Sequence, residues 1–232
     1  MKVGCLYGIG VGPGDPELMT VKAVRLVEQS DVIVLPAKNR DGCYAYKIVK
    51  EMVPTLENKV ILCKDFPMVK DDAVLEAAFS SIYQDILVYL KEGKKVAFLT
   101  IGDPSIYSTY MAMHKCAEQD GYMAEMISGV PSFCAVAARL GIALGEKQEM
   151  IHIIPGSYDT KEAAAFPGTR IYMKSGAKLA KLKEQLSVEM QEKELLIYSV
   201  SNCGMENERV EEGLEGLHSD SGYLTIVIVK QG

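Results

Sequence analysis

The chain has 232 residues, of which 48% are hydrophobic and 24% are charged, and this composition excludes an intrinsically disordered protein. Its 25 Lys and Arg against 31 Asp and Glu leave a formal net charge of −6. A general basic field is therefore missing, and we expect no nucleic-acid partner. The length lies between one and two typical domains and allows two compact lobes.

The six cysteines are scattered and form no C-x-x-C pair, which favours reduced thiols in a cytoplasmic protein. The three histidines, His114, His152 and His218, are not spaced as metal ligands, so we predict no protein-bound metal. The first residues reach glycines before an apolar leader forms, and no uninterrupted apolar run approaches the roughly 18 residues of a spanning helix. We therefore expect a soluble, cytoplasmic protein with no membrane partner.

The first half of the chain alternates short apolar runs with longer amphipathic ones. The predicted strands cover residues 3–9, 31–35, 60–63, 96–100 and 122–127, and the predicted helices cover 17–29, 44–52, 73–91 and 106–119. Asp15 and Pro16 suit the first turn of the first helix. Strands and helices in this alternation predict a parallel sheet covered on both faces.

The second half is richer in β-branched residues and poorer in helical patterns, which predicts a mixed sheet. Residues 128–145 mix turn residues with small apolar ones. The predicted elements are strands over 151–154, 169–173, 194–200 and 223–229 and a helix over 178–186. The fold class is thus α/β, with an N-terminal parallel-sheet lobe over 1–128 and a C-terminal mixed-sheet lobe over 129–232.

Three loops follow predicted strands and carry glycine, proline and carboxylate residues. They cover 8–15, 102–107 and 129–132. In parallel sheets, ligands bind beyond the carboxyl ends of the strands, so these loops are candidates for a site. The dinucleotide pattern G-x-G-x-x-G fails because Pro13 and Asp15 occupy the positions of its last glycine. The Walker pattern of phosphate-binding loops is not matched either, because no Gly-Lys pair is followed by Ser or Thr at the required spacing.

The glycine loop, IGVGPGDPELMT over 9–20, resembles the opening motif of the tetrapyrrole methylases. The segment GDPSIYSTY over 102–110 is similar to the second motif of that family, and its ending is most similar to the branch that methylates carbon 20 of precorrin-2 or its cobalt complex. The segment GVPSFCAVAARLG over 129–141 is similar to the third motif of the same branch. The resemblance spans nearly the whole chain.

The resemblance implies a two-lobed α/β fold with a cleft, and an S-adenosylmethionine-dependent C-methyltransferase of cobalamin biosynthesis that acts on precorrin-2 or cobalt-factor II. It also implies a homodimer, for whose interface the alternating strand 223–229 is a candidate. Any cobalt would enter with the substrate, where His114 or His218 would be the candidate axial ligand. The alternatives are another branch of the family, which methylates a different ring position, and a non-catalytic protein that binds a nucleotide or a tetrapyrrole.

Carried over by position, the resemblance implies two sets of ligand-binding residues. The residues that would line the cofactor are Pro36, Gly102, Asp103, Ile106, Tyr107, Ser132 and Met173. The residues that would form the floor of the substrate trough are Gly12, Pro13, Gly14 and Asp15.

Charged residues complete the predicted site. Because the substrate carries many carboxylates, we predict that Lys38, Arg40 and Arg139 bind it. Asp103 is the candidate catalytic base or electrostatic stabiliser, since a carboxylate near the reacting centre can accept a proton or stabilise developing charge. The alternative for Asp103 is that it only caps a tight turn before Pro104.

Overall fold

The computed structural model describes residues 3–67, 69, 71–156, 158, 160–174, 178–218 and 221–232. The chain divides into two compact units, Met1–Pro131 and Ser132–Gly232. The division falls after Pro131 rather than after residue 128, because the loop that contains Gly129 is hydrogen-bonded to Asp103 and so belongs to the first unit. Within the described residues, each unit contains a five-stranded sheet, one parallel and one mixed, and this confirms the predicted α/β class.

The first sheet is parallel throughout and has the strand order β3-β2-β4-β1-β5. Its strands are β1 (Cys5–Gly10), β2 (Val32–Leu35), β3 (Val60–Cys63), β4 (Lys95–Thr100) and β5 (Met123–Ile127). Because the strands are parallel, their carboxyl ends share one edge of the sheet. The loops that follow β2, β4, β1 and β5 therefore meet at this edge, which we call the loop edge.

Helices cover both faces of this sheet, as the alternating pattern predicts. They are α1 (Val21–Gln29), α2 (Tyr44–Met52), α3 (Asp72–Lys91) and α4 (Tyr110–Gln119). One buried cluster contains residues of β1, β2 and β4 with α1 and α2. The opposite cluster contains residues of the same strands with α3 and α4. The sheet that carries the loop edge is therefore packed between two separate hydrophobic clusters, one on each face.

Helix α3 is long and apolar, with a mean hydropathy of 1.2 over its most apolar window, so by length and composition alone it would pass as a membrane-spanning helix. The sequence analysis predicts no spanning helix because it considers only uninterrupted apolar runs, whereas the apolar residues of α3 are interrupted by polar ones. In the structure, Ile82, Ile86 and Leu90 of α3 belong to the core cluster of the sheet. One face of α3 is thus packed on the sheet, and 28% of its apolar window is buried.

The first helix begins later than predicted. The pattern predicts a helix from residue 17, but α1 begins at Val21, because the Thr20 hydroxyl accepts a hydrogen bond from the Ala23 N–H at 3.2 Å and caps it there. Asp15 instead caps a separate 3-10 turn, Pro16–Leu18. The glycine loop is thus followed by a turn and then by the helix.

The second sheet is mixed and has the strand order β6-β7-β10-β8-β9. Its strands are β6 (Ile151–Pro155), β7 (Thr169–Met173), β8 (Leu195–Ser201), β9 (Arg209–Glu212) and β10 (Thr225–Gln231), and its helices are α5 (Ser132–Leu140), α6 (Thr160–Ala163) and α7 (Leu179–Glu189). Only the β6–β7 pair is parallel among the pairs described.

The pattern missed α5, α6 and β9. Alanine and other small residues make α5 look like part of a turn segment, yet it buries Phe133 and Val136. Strand β9 is mostly exposed and has no apolar alternation to reveal it. Strand β10 lies in the middle of its sheet with both edges hydrogen-bonded, so it has no free edge for the subunit interface suggested by its sequence.

A buried ion pair joins β7 to the end of α7. The two terminal nitrogens of Arg170 each donate to a carboxylate oxygen of Glu189 at 2.9 Å, and the side chains are 1% and 6% exposed. The Arg170 Nε has no hydrogen-bond partner among the described atoms. Among the described residues, Glu189 is the carboxylate that pairs with this guanidinium.

We predict that Glu189→Gln lowers the free energy of unfolding by about 3–5 kcal/mol, because the change leaves the buried Arg170 charge without a counter-charge. Urea unfolding followed by circular dichroism measures the loss. The matched control is Glu215→Gln, whose exposed ion pair with Lys183 should contribute less than about 1 kcal/mol. Equal effects of the two substitutions would contradict the prediction.

Candidate functional site

Three glycines at the loop edge bring three loops into direct backbone contact. Gly10 ends β1, Gly102 follows β4 and Gly129 follows β5. A Cβ on Gly10 would lie 2.6 Å from the Gly102 carbonyl oxygen, and one on Gly129 would lie 2.2 Å from the same atom. Such distances are sterically forbidden, so only glycine permits this approach.

The first and second loops are also paired through their backbones. The Gly102 N–H donates to the Gly12 carbonyl at 2.8 Å, and the Gly12 N–H donates back at 3.4 Å. Both residues have positive φ, +79° for Gly12 and +72° for Gly102, a region that favours glycine. The loop after β1 and the loop after β4 therefore form one connected surface.

Asp103 ties the second loop to the third. One carboxylate oxygen accepts the Gly129 N–H at 3.0 Å, and the other accepts the Ser105 N–H at 2.8 Å and the Ser105 hydroxyl at 2.5 Å. The residue is only 9% exposed. These contacts match the turn-capping alternative and extend it, because the carboxylate also holds a loop 26 residues away.

Tyr107 and Ile106 follow in the second loop. Tyr107 has φ +46° and is 46% exposed as a residue, whereas Ile106 is half-buried. The left-handed backbone of Tyr107 cannot continue a helix, so α4 begins at Tyr110 and not at the predicted residue 106. Both residues present apolar surface at the loop edge.

The predicted trough residues lie in the loop after β1. Gly12, Pro13 and Gly14 are buried. Asp15 is half-buried, and one of its oxygens accepts the Glu17 N–H at 2.9 Å. The first three can thus offer backbone groups, and Asp15 is already used in part by its own turn.

Pro36, Lys38 and Arg40 lie in the loop after β2, beside the loop after β4. Pro36 is half-buried, whereas Lys38 and Arg40 are exposed. The Lys38 ammonium lies 3.5 Å from an Asp65 oxygen, with both side chains mostly exposed. Since exposed ion pairs are weak, the Lys38 charge remains available to an acidic ligand.

Three predicted site residues belong to the second unit: Ser132, Arg139 and Met173. The other predicted site residues all lie in the first unit. Ser132 begins α5, and Met173 ends β7 with 7% exposure. Arg139 lies in the last turn of α5, and its Nε donates to Glu208 at 2.7 Å. Arg139 therefore already has a carboxylate partner.

The two candidate axial histidines have protein partners. The His114 Nδ1 lies 3.0 Å from the Tyr110 hydroxyl, and its side chain is 12% exposed. The His218 Nε2 lies 2.9 Å from Glu211. Within the described ranges, no three His, Cys, Asp or Glu side chains are grouped as metal ligands.

A family model for tetrapyrrole (corrin/porphyrin) methylases matches residues 5–217, a range that includes all three loops. The chain belongs to this family. The resemblance read from the three motifs is thereby confirmed.

Two curated relatives match this tetrapyrrole methylase over nearly its full length. A probable cobalt-precorrin-2 C(20)-methyltransferase from Methanocaldococcus jannaschii is 34% identical over 97% of this chain and 96% of its own. A precorrin-2 C(20)-methyltransferase from a Sinorhizobium species is 29% identical over 98% of this chain and 95% of its own.

Solved structures show that the fold is that of the family. A cobalt precorrin-4 methyltransferase superposes with a TM-score of 0.77 at 20% identity, covering 97% of this chain and 94% of that one. A uroporphyrin-III C-methyltransferase from Thermus thermophilus, complexed with S-adenosylhomocysteine, gives 0.72 at 19% identity, covering 98% and 97%. The predicted two-lobed α/β class of the tetrapyrrole methylases is confirmed.

Sequence reasoning missed the polar residues that shape the second loop. Ser105 bonds to Asp103, and Ser108 bonds to Thr100, at the end of β4. The spacing Asp-Pro-Ser is a recognisable turn signal and would have indicated the first of these contacts. The contact of Asp103 with Gly129 joins residues from different strands and leaves no such local signal.

We predict that Asp103→Asn lowers the free energy of unfolding by about 1–3 kcal/mol, because an amide has one acceptor oxygen and its NH2 must face a buried N–H. The control is Asp71→Asn at the start of α3, where a single oxygen accepts both the Ala73 and Val74 N–H groups and an amide oxygen can replace it. Thermal unfolding measures both changes. An unchanged midpoint for Asp103→Asn would show that the link to Gly129 carries no stability.

Proposed function

We propose that this tetrapyrrole methylase transfers a methyl group from S-adenosylmethionine to C20 of precorrin-2 or cobalt-factor II in cobalamin biosynthesis. The observation that carries the proposal is the near full-length match to two relatives named for C20 methylation. The segment 102–110, GDPSIYSTY, supports the same branch through its resemblance. A uroporphyrinogen-III C-methyltransferase and a cobalt-precorrin-4 C(11)-methyltransferase match 69% and 57% of the chain, less than the two C20 relatives above.

The loop edge suits the proposed methyl donor. Adenosine and methionine groups need apolar surface and backbone hydrogen-bonding groups, and the edge offers the Tyr107 ring, the half-buried Ile106 and a glycine backbone. In the first unit, the residues proposed to hold the donor are Pro36, Gly102, Asp103, Ile106 and Tyr107. Ser132 and Met173 are the proposed contacts from the second unit.

The donor, when bound, supplies an activated methyl group, so the main task of the protein is to orient it toward the ring carbon. Well-placed reactants lower a barrier by roughly 7–11 kcal/mol. The glycine contacts at Gly102 and the hydrogen bonds of Asp103 give the loop edge a fixed shape. A fixed shape of this kind supports orientation.

Asp103 is our candidate for electrostatic stabilisation of the reacting centre. Three N–H and O–H groups already donate to its two oxygens. Such contacts hold the carboxylate in place and suit a preorganised charge better than a mobile base. Through the same contacts, Asp103 also fixes the positions of the second and third loops relative to each other.

The substrate is proposed to lie on the loop of Gly12, Pro13, Gly14 and Asp15, with its carboxylates near basic side chains. Lys38 and Arg40 are exposed in the neighbouring loop. Arg139, which contacts Glu208, would have to exchange that partner to bind a substrate carboxylate. Lys38 and Arg40 are therefore the stronger candidates among the three.

We further propose a cytoplasmic homodimer that binds no nucleic acid or membrane and holds no metal of its own. The net charge of −6 supports the first exclusion. Sedimentation velocity tests the subunit number. Elemental analysis of the purified protein tests the metal content.

We expect purified protein, incubated with S-adenosylmethionine and precorrin-2 or its cobalt complex, to yield a ring one methyl group heavier and S-adenosylhomocysteine. Mass spectrometry measures both products, and NMR of the ring locates the methyl group. Methylation at a carbon other than C20 would move the protein to another branch. Absence of S-adenosylhomocysteine above background would favour the non-catalytic binding alternative. The ring that turns over faster identifies the natural substrate.

We predict that Lys38→Gln and Arg40→Gln each raise the KM for the tetrapyrrole about two- to fivefold, because each removes an exposed attraction worth up to about 1 kcal/mol. The KM for S-adenosylmethionine should stay the same. Lys50→Gln is the control, since Lys50 is an exposed lysine of α2 that pairs with Glu57. A double variant with an unchanged tetrapyrrole KM would exclude this loop from substrate binding.

A further inference from the structure

Tyr107 has an unusual backbone conformation for its residue type. Its φ of +46° lies in the left-handed region, and it is the only aromatic residue there within the described part of the chain. For a bulky side chain this conformation is strained and persists only when the surroundings impose it. Since nearly half of the residue's surface is exposed, burial does not by itself explain the conformation.

Two hydroxyl groups fix the chain directly after Tyr107. The Ser108 hydroxyl lies 3.1 Å from the Thr100 hydroxyl and accepts the Tyr110 N–H at 3.1 Å. Thr100 is the last residue of β4 and is 8% exposed. Ser108 is therefore held between the central sheet and the first residue of α4.

Tyr110 gives this arrangement a rigid base. A Cβ on Gly8 of β1 would lie 2.2 Å from the Tyr110 ring, so the ring packs directly on the strand backbone. The Tyr110 hydroxyl donates to the Glu125 carbonyl at 3.2 Å. Burial raises the pKa of Tyr110 above its usual value, so this hydroxyl remains a donor even in alkaline solution.

The chain before Tyr107 is fixed as well. The Ile106 N–H donates to the Asp103 carbonyl at 3.2 Å, and the Asp103 carboxylate is bound to Ser105 and Gly129. Tyr107 thus lies between two anchored segments. The left-handed backbone of Tyr107 is the turn by which the chain passes from the first anchored segment to the second.

We infer that Thr100 and Ser108 are positioning residues that hold Tyr107 in its left-handed conformation and present its ring to the methyl donor at the loop edge. The inference rests on the proposed function, which assigns Tyr107 to the donor site. Neither hydroxyl needs to touch the donor: Thr100 acts on Ser108, and Ser108 acts on the backbone of its neighbour.

The test removes one hydroxyl at a time and measures the Kd of S-adenosylhomocysteine by calorimetry, together with kinetics. Thr100→Val keeps the shape of the side chain and Thr100→Ser keeps the hydroxyl. We expect Thr100→Val to raise the Kd and the KM for S-adenosylmethionine roughly three- to tenfold, as expected for one lost hydrogen bond. Ser108→Ala should raise both at least as much, because it also removes the acceptor of the Tyr110 N–H. The kcat should change less than twofold, and Thr100→Ser should bind like the unaltered protein.

Because Ser108→Ala already removes the hydrogen bond that the two hydroxyls share, the double variant Thr100→Val/Ser108→Ala should bind like Ser108→Ala alone. Ser30→Ala is the matched control. The Ser30 hydroxyl is buried and donates to the Leu26 carbonyl at 2.7 Å in the same unit, so its loss should lower the Tm and leave the Kd unchanged.

Three results are decisive. If the unaltered protein binds no S-adenosylhomocysteine, the proposed function fails and the inference fails with it. If the unaltered protein binds and both Thr100→Val and Ser108→Ala bind equally well, only the inference is overturned. The inference alone is also overturned if Thr100→Ser binds as weakly as Thr100→Val, since the hydroxyl would then not be the group that matters.

Discussion

The contact of three backbones around the Gly102 carbonyl is the constraint on which the loop edge depends. Gly10 and Gly129 approach that oxygen so closely that any Cβ would overlap it. The approach is possible because β1 lies between β4 and β5 in a parallel sheet, which brings the ends of all three strands together. Steric exclusion, more than any attractive contact, therefore determines which residue type can occupy these positions.

Hydrogen bonds then give this contact a defined geometry. Asp103 accepts from the second and third loops, and the backbones of Gly12 and Gly102 pair the first loop with the second. Asp103, Gly12, Gly102 and Gly129 are buried, so breaking the bonds among them would leave a donor or acceptor away from water. A site built this way changes shape little, which is what an orientation-controlled methyl transfer requires.

The second unit is stabilised by charge as well as by apolar packing. Arg170 and Glu189 form a buried pair, and Lys230 contacts both oxygens of Glu149. The hydrogen bond from Lys230, followed by one from Thr169, lowers the pKa of Glu149 below its ordinary value. These contacts tie the loop before β6 to β7 and to β10, the central strand of the sheet.

The sequence by itself determined the α/β class, most strand positions and the three loops, because apolar periodicity and glycine-rich turns are local properties of the chain. Helix α2 was predicted with its observed bounds, Tyr44–Met52, since its amphipathic pattern has clear ends. Helix α5 was not, because its small residues do not distinguish a helix from a turn. The motif resemblance also identified the family from local segments.

Only the tertiary structure decided how the loop residues act on one another. Asp103 and Gly129 are 26 residues apart, so their contact depends on how β1, β4 and β5 pair. The contact of Thr100 with Ser108 depends on how the loop after β4 turns back on the end of that strand. The central place of β10, which excludes a free strand edge there, is likewise a property of the sheet order. Such contacts arise when distant segments meet, and the spacing of residues along the chain carries no record of them.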